Sequence, residues 1–98
     1  MVPPNVYETP VFLSRVKTLP GLRNAVIRFL INWPDSGVKI CGAFQKVEVS
    51  FEGQVHTILV RRVNQLISVM EIYDLPAEQK AFDLRAEYLR STFCRGQS

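Results

Sequence analysis

The hydrophobic and polar positions fall into four patterned stretches after a Pro-rich start. Residues 1–10 (MVPPNVYETP) carry three prolines, which predicts an extended arm packed on its own domain or on a neighbour. Val11 to Lys17 is rich in strand-forming residues (Val11, Phe12, Leu13, Val16) and reads as a short edge strand. From Leu19 to Asn32, Leu22, Ala25, Val26, Phe29, Leu30 and Trp33 recur at helical spacing, with Asn24, Arg28 and Asn32 opposite. Thr18 is the expected cap and Pro20 sits in the first turn, where its missing N–H costs nothing. The β-branched pair Val26-Ile27 keeps a strand alternative open. Pro34-Asp35-Ser36-Gly37 then reads as a turn.

Val38 to Arg62 is the β part. Val47, Val49 and Phe51 alternate with Lys46, Glu48 and Ser50, and the chain turns at Glu52-Gly53 into Val55–Arg62. A three-residue loop of Glu52, Gly53 and Gln54 sets Phe51 opposite Val55 and Val47 opposite Leu59. In that register Phe44, Lys46 and Arg62 share a face, and Arg61 projects from the other. Both faces carry apolar residues, so the sheet should be covered on both sides. Val63 to Tyr73 fits a helix with Val63, Leu66, Ile67 and Met70 on one side, although Ile67, Val69 and Glu71 also alternate as a third hairpin strand would. Asp74-Leu75-Pro76-Ala77-Glu78 is a helix start, followed by Ala81, Phe82, Arg85, Tyr88 and Leu89 at helical spacing to about Phe93.

The expected fold is therefore α+β. A small antiparallel sheet, with its β-hairpin centred on residues 44–62, packs with an N-terminal helix and one or two C-terminal helices. Residues 11–98 form its single domain and residues 1–10 its arm. Ninety-eight residues hold one core. A hydrophobic content of 47% with 21% charged residues excludes disorder and leaves few charges to cover a small domain.

The net charge of +3 is unevenly placed. Eight basic and four acidic residues precede residue 63, and four basic and five acidic residues follow from there. A basic region suits phosphate or an acidic partner. The cysteines, Cys41 and Cys94, are only two and lie far apart, which argues for reduced thiols rather than a secreted disulfide framework. Met1–Pro10 has no basic start or apolar core of a signal peptide, and the apolar runs fall short of the roughly 20 residues of a membrane span. An intracellular, soluble and most simply cytoplasmic protein is expected.

Candidate chemistry is sparse. His56 and Cys41 lie on strands of one sheet and would make a thiolate–imidazole pair if they converged. Two cysteines and one histidine match no zinc spacing, and no Gly-rich phosphate loop is present, so no metal or cofactor is expected. Arg23 and Arg28 opposite Phe29, Leu30 and Trp33 fit core packing better than a membrane-surface helix. The candidate binding residues are Phe44, Lys46, Arg61 and Arg62, an aromatic among cations. The first functional expectation is a non-enzymatic protein-binding module or small assembly subunit that pairs with another protein or with itself. The alternative is RNA or DNA contact through the mildly basic sheet. A cysteine-dependent enzyme comes last.

Overall fold

The computed structural model describes residues 5–33, 37–74 and 76–94. Its elements run β1 (Asn5–Glu8), α1 (Pro10–Val16), α2 (Pro20–Ile31), β2 (Val38–Cys41), β3 (Phe44–Phe51), β4 (Gln54–Val63), β5 (Leu66–Asp74) and α3 (Gln79–Thr92). The five strands form one sheet in the order β1-β5-β4-β3-β2. Strands β2 to β5 are an antiparallel meander, and β1 lies parallel to β5 at the edge. The α+β architecture is the one expected, with the hairpin of residues 44–62 at its centre. Part of the Pro-rich arm belongs to the sheet, because Asn5 to Glu8 pair with Leu66 to Val69.

Two apolar clusters cover the two faces. The larger gathers Phe12, Val16, Leu22, Val26 and Leu30 from α1 and α2 over Val47, Val49, Ile58, Val60, Ile67, Val69 and Ile72. The smaller joins Leu89, at the end of α3, to Phe44, Leu59 and the two cysteines, with Met70 and Tyr73 beside them.

The strand expected over 11–17 is instead the helix α1. Phe12 and Val16, one helical turn apart, are both fully buried, which rewards the helical spacing over local strand preference. Thr9 starts it, accepting a hydrogen bond from the Phe12 N–H while its hydroxyl lies 2.7 Å from the carbonyl oxygen of Val69. Helix α2 buries Leu22, Val26 and Leu30 at helical spacing and has Pro20 in its first turn. Its cap residue is Leu19, with no side-chain hydrogen bond, and not Thr18. Of the turn expected at 34–37, residues 34–36 lie outside the described residues.

The β3–β4 loop has two residues, not three. Phe51 pairs with Gln54 and Val47 with Ile58. Glu52 and Gly53 both take positive φ, at 52° and 78°, as the common two-residue hairpin turn requires. A one-residue change of register moves a whole strand's side chains to the other face. Ile58 and Val60 therefore join Val47 and Val49, while Arg61 stands opposite Phe44.

Residues 66–74 form strand β5 rather than a helix from Val63 to Tyr73. Leu59 pairs with Glu71 and Val60 with Val69, so Met70 is an extra, bulged residue. The bulge lets Ile67, Val69 and Ile72 share one face although their spacings are two and three. That mixed spacing is what imitates a helix. The last helix starts later than its first acidic residue, since Asp74 still pairs with His56 in β5 and Glu78 occupies the cap. From there Phe82, Ala86 and Leu89 turn inward.

Candidate functional site

The outer side of α3 and the sheet surface beside it form the candidate site. Helix α3 buries Phe82, Ala86 and Leu89, and on its other side it presents Leu84 and Tyr88, which are 59% and 49% exposed. Phe93, just past the helix, is 59% exposed. Its ring lies 6.3 Å from that of Tyr88 and 5.6 Å from that of Phe44, giving an aromatic row from helix to sheet. Edge and tilted contacts of this kind suit the ring quadrupoles.

A cleft of about 480 Å³ opens at the Phe93 end of this row. Phe44, Met70, Phe93 and the turn residues Gly42 and Ala43 line it, together with Arg61 and Cys94. Cys94 is joined to Cys41 by a disulfide with Cα atoms 5.9 Å apart, which ties the end of α3 to β2. Gly42 turns with φ of +52°, and a Cβ there would lie 3.4 Å from the Cys94 sulfur.

On the other side of Tyr88, a cleft of about 520 Å³ lies between α1, β5 and α3. Arg85 Nε stands 3.0 Å from Glu71 Oε2, at ion-pair range but without the alignment of a hydrogen bond. The guanidinium lies 5.2 Å from the Tyr88 ring centre, within cation–π range. The Tyr73 hydroxyl donates to the Glu71 carboxylate. Desolvation first, then that hydrogen bond and the Glu71 charge, push the Tyr73 phenol well above the ordinary tyrosine range.

The four residues singled out from sequence divide differently from expectation. Phe44, Lys46 and Arg61 share the α3 face. Arg62 is on the opposite one, its guanidinium 5.3 Å from the Trp33 ring centre. Phe44 is only 8% exposed under Phe93, so the accessible ring is that of Phe93. The Lys46 ammonium lies 5.6 Å from the Phe82 ring centre. Leu84, Tyr88, Met70 and Phe93 escaped sequence reasoning. Tyr88 stood in the apolar repeat of the last helix and read as core, whereas Ala86 takes the inward place, and Leu84 carried no signal apart from that repeat.

The arrangement expected of a cysteine enzyme does not form. Cys41 is bonded to Cys94 and is not the reduced thiol expected. His56 is buried, with Nδ1 2.6 Å from Asp74 Oδ1. Among the described residues no group of three or more His, Cys, Asp or Glu side chains is placed to hold a metal ion. No described helix is long and apolar enough to cross a membrane. In α2, Leu22, Val26 and Leu30 are core residues, and Arg23 pairs with Glu8 at 2.5 Å. Comparison of the chain with protein-family models, with curated proteins and with solved structures finds no match in any of the three.

Proposed function

We propose that this chain is a non-enzymatic protein-binding module or small assembly subunit whose interface is the outer side of α3. The supporting observation is the exposed row of Leu84 and Tyr88, on a helix whose opposite side is packed, and Phe93 just past its end. Burying one such side chain is worth roughly 1.5–3 kcal/mol, so covering the row would drive association. Aromatic anchors beside an arginine are also the residue types that dominate protein interfaces.

The test is photo-cross-linking from a benzoylphenylalanine placed at position 84 or 88, with Lys17, exposed after α1, as the control position. Protein adducts, or a dimer of this chain, from positions 84 and 88 but not 17 are the expected result. Equal labelling from all three positions, or none, overturns the proposal. Adducts to nucleic acid that vanish with salt would transfer the site to the alternative reading, with Arg61 and Phe93 at its centre.

A further inference from the structure

We infer that the cleft beside Phe93 receives a bulky apolar side chain of a partner protein that carries a carboxylate close by, and that Arg61 is the contact selecting it. This rests on the protein-binding reading above and names the chemistry of the partner.

The argument is one of charge complementarity. Arg15, Arg23 and Arg85 each stand against a glutamate, Glu78, Glu8 and Glu71 respectively. Arg61 is exposed and has no ion-pair partner among the described residues. Its cross-strand neighbours are Phe44 and Ser68, neither of which is acidic. Among the described residues it is the single charged side chain lining a cleft whose other walls include Phe44, Met70, Phe93 and Ala43. A volume of about 480 Å³ is in the range of sites that enclose a small organic group.

An apolar cleft rewards an apolar occupant by area. A cation on its rim, with low-dielectric walls beside it, rewards a negative charge more than the same cation in open water. The planar guanidinium suits a carboxylate in particular, because its paired N–H groups match the two oxygens. A residue such as leucine or phenylalanine next to an acidic residue, or at a chain's C-terminus, meets both demands.

The experiment is an amide NMR titration of the full chain with 3-phenylpropionate, compared with 3-phenylpropanamide and with inorganic phosphate. The acid should shift Gly42, Ala43, Arg61 and Phe93, and the amide should bind about tenfold more weakly, the worth of a charge-assisted hydrogen bond. Arg61→Gln should reduce the acid to the level of the amide, and Arg61→Lys, which keeps the charge but loses the fork, should fall between. Equal binding of acid and amide, or an acid affinity unchanged in Arg61→Gln, overturns the inference. Phosphate shifting the same amides as strongly also overturns it, and would point to a phosphate ligand. Cross-linking from position 84 separates the two levels. Adducts of unchanged yield in Arg61→Gln would sink the inference and leave the protein-binding reading standing. Absence of adducts in the wild-type background would sink that reading, and the titration would still decide what the cleft prefers.

Discussion

Arg15 on α1 grips Glu78, the cap residue of α3, through two hydrogen bonds of 2.8 and 3.2 Å. Glu78 also accepts a hydrogen bond of 2.9 Å from the Asp74 N–H through the same Oε1 atom that takes the shorter Arg15 contact. Helices that cover opposite faces of the sheet are thus tied together at the end of β5. Both side chains are partly exposed, at 45% and 30%, so solvent screens the pair and its worth is modest.

Stability should fall in acid. The hydrogen bond to Arg15 holds the Glu78 carboxyl below the usual glutamate value of 4.5, and Arg23 does the same for Glu8. A depressed folded-state pKa contributes stability that is complete above the unfolded value and disappears as pH drops through the folded one. The urea midpoint should therefore be level near neutrality and decline below about 4.5. Glu78→Gln should cost about 1 kcal/mol at neutral pH and flatten part of that decline. An acid profile identical to wild type would show that the pair is not formed in solution.

The Cys41–Cys94 bond closes a loop with a sequence separation of 53. Loop-closure entropy for a ring of this size amounts to about 4 kcal/mol, and native disulfides commonly deliver about 2–4. Reduction, or the double change Cys41→Ser and Cys94→Ser, should lower unfolding free energy by that amount. Non-reducing peptide mapping checks the pairing itself, and free thiols at both positions would contradict it.

Thr57 is fully buried, and its hydroxyl has no hydrogen-bond partner among the described residues. A buried unsatisfied polar group costs about 1–3 kcal/mol, and valine has nearly the same shape. Thr57→Val should therefore raise stability by about 1 kcal/mol, near 5 °C in Tm for a domain of this size. A loss of stability on thermal melting would mean that the hydroxyl is satisfied in solution.

One of the three tyrosines should resist ionisation. Burial and the Glu71 carboxylate favour the neutral Tyr73 phenol. Unfolded Tyr73 ionises near 10.0 while the folded residue keeps its proton, so stability should drain away as pH rises past that value. An ultraviolet phenolate titration should show one late step that is absent in Tyr73→Phe. Three coincident steps would exclude the buried Tyr73–Glu71 contact.

The candidate site was partly legible in the chain. Phe44, Lys46 and Arg61 stand on one face, and the register alone decides that Arg61 rather than Arg62 completes the set. Whether the Glu52-Gly53 loop holds two residues or three is a matter of local φ angles, which a Glu-Gly pair leaves open. Leu84 and Tyr88 resemble any apolar helix residues until the packed side of α3 is known. Exposure is a property of what a residue fails to meet, and nothing within one helix turn records it.

Elements with local signals can be read directly from the order of residues. Pro20 with the Leu22–Val26–Leu30 spacing specifies α2, the repeat of Ala81, Phe82, Arg85, Tyr88 and Leu89 specifies α3 though Ala86 and not Tyr88 turns inward, and the alternation around Val47 and Val49 specifies the hairpin. These patterns follow from side chains a few residues apart sharing one face. The remaining elements depend on packing between distant parts of the chain. Val11 to Val16 became a helix because Phe12 and Val16 meet a core built by residues far along the chain. Residues 66–74 became a strand because β4 and β1 offer hydrogen-bond partners on both sides and a bulge at Met70 absorbs the misfit. Cys41 found Cys94 because α3 returns across the sheet. The β1–β5 pairing and the Cys41–Cys94 bond join residues about 50 or more positions apart, and a contact of that separation is set by what the folded chain brings together, not by neighbouring residues.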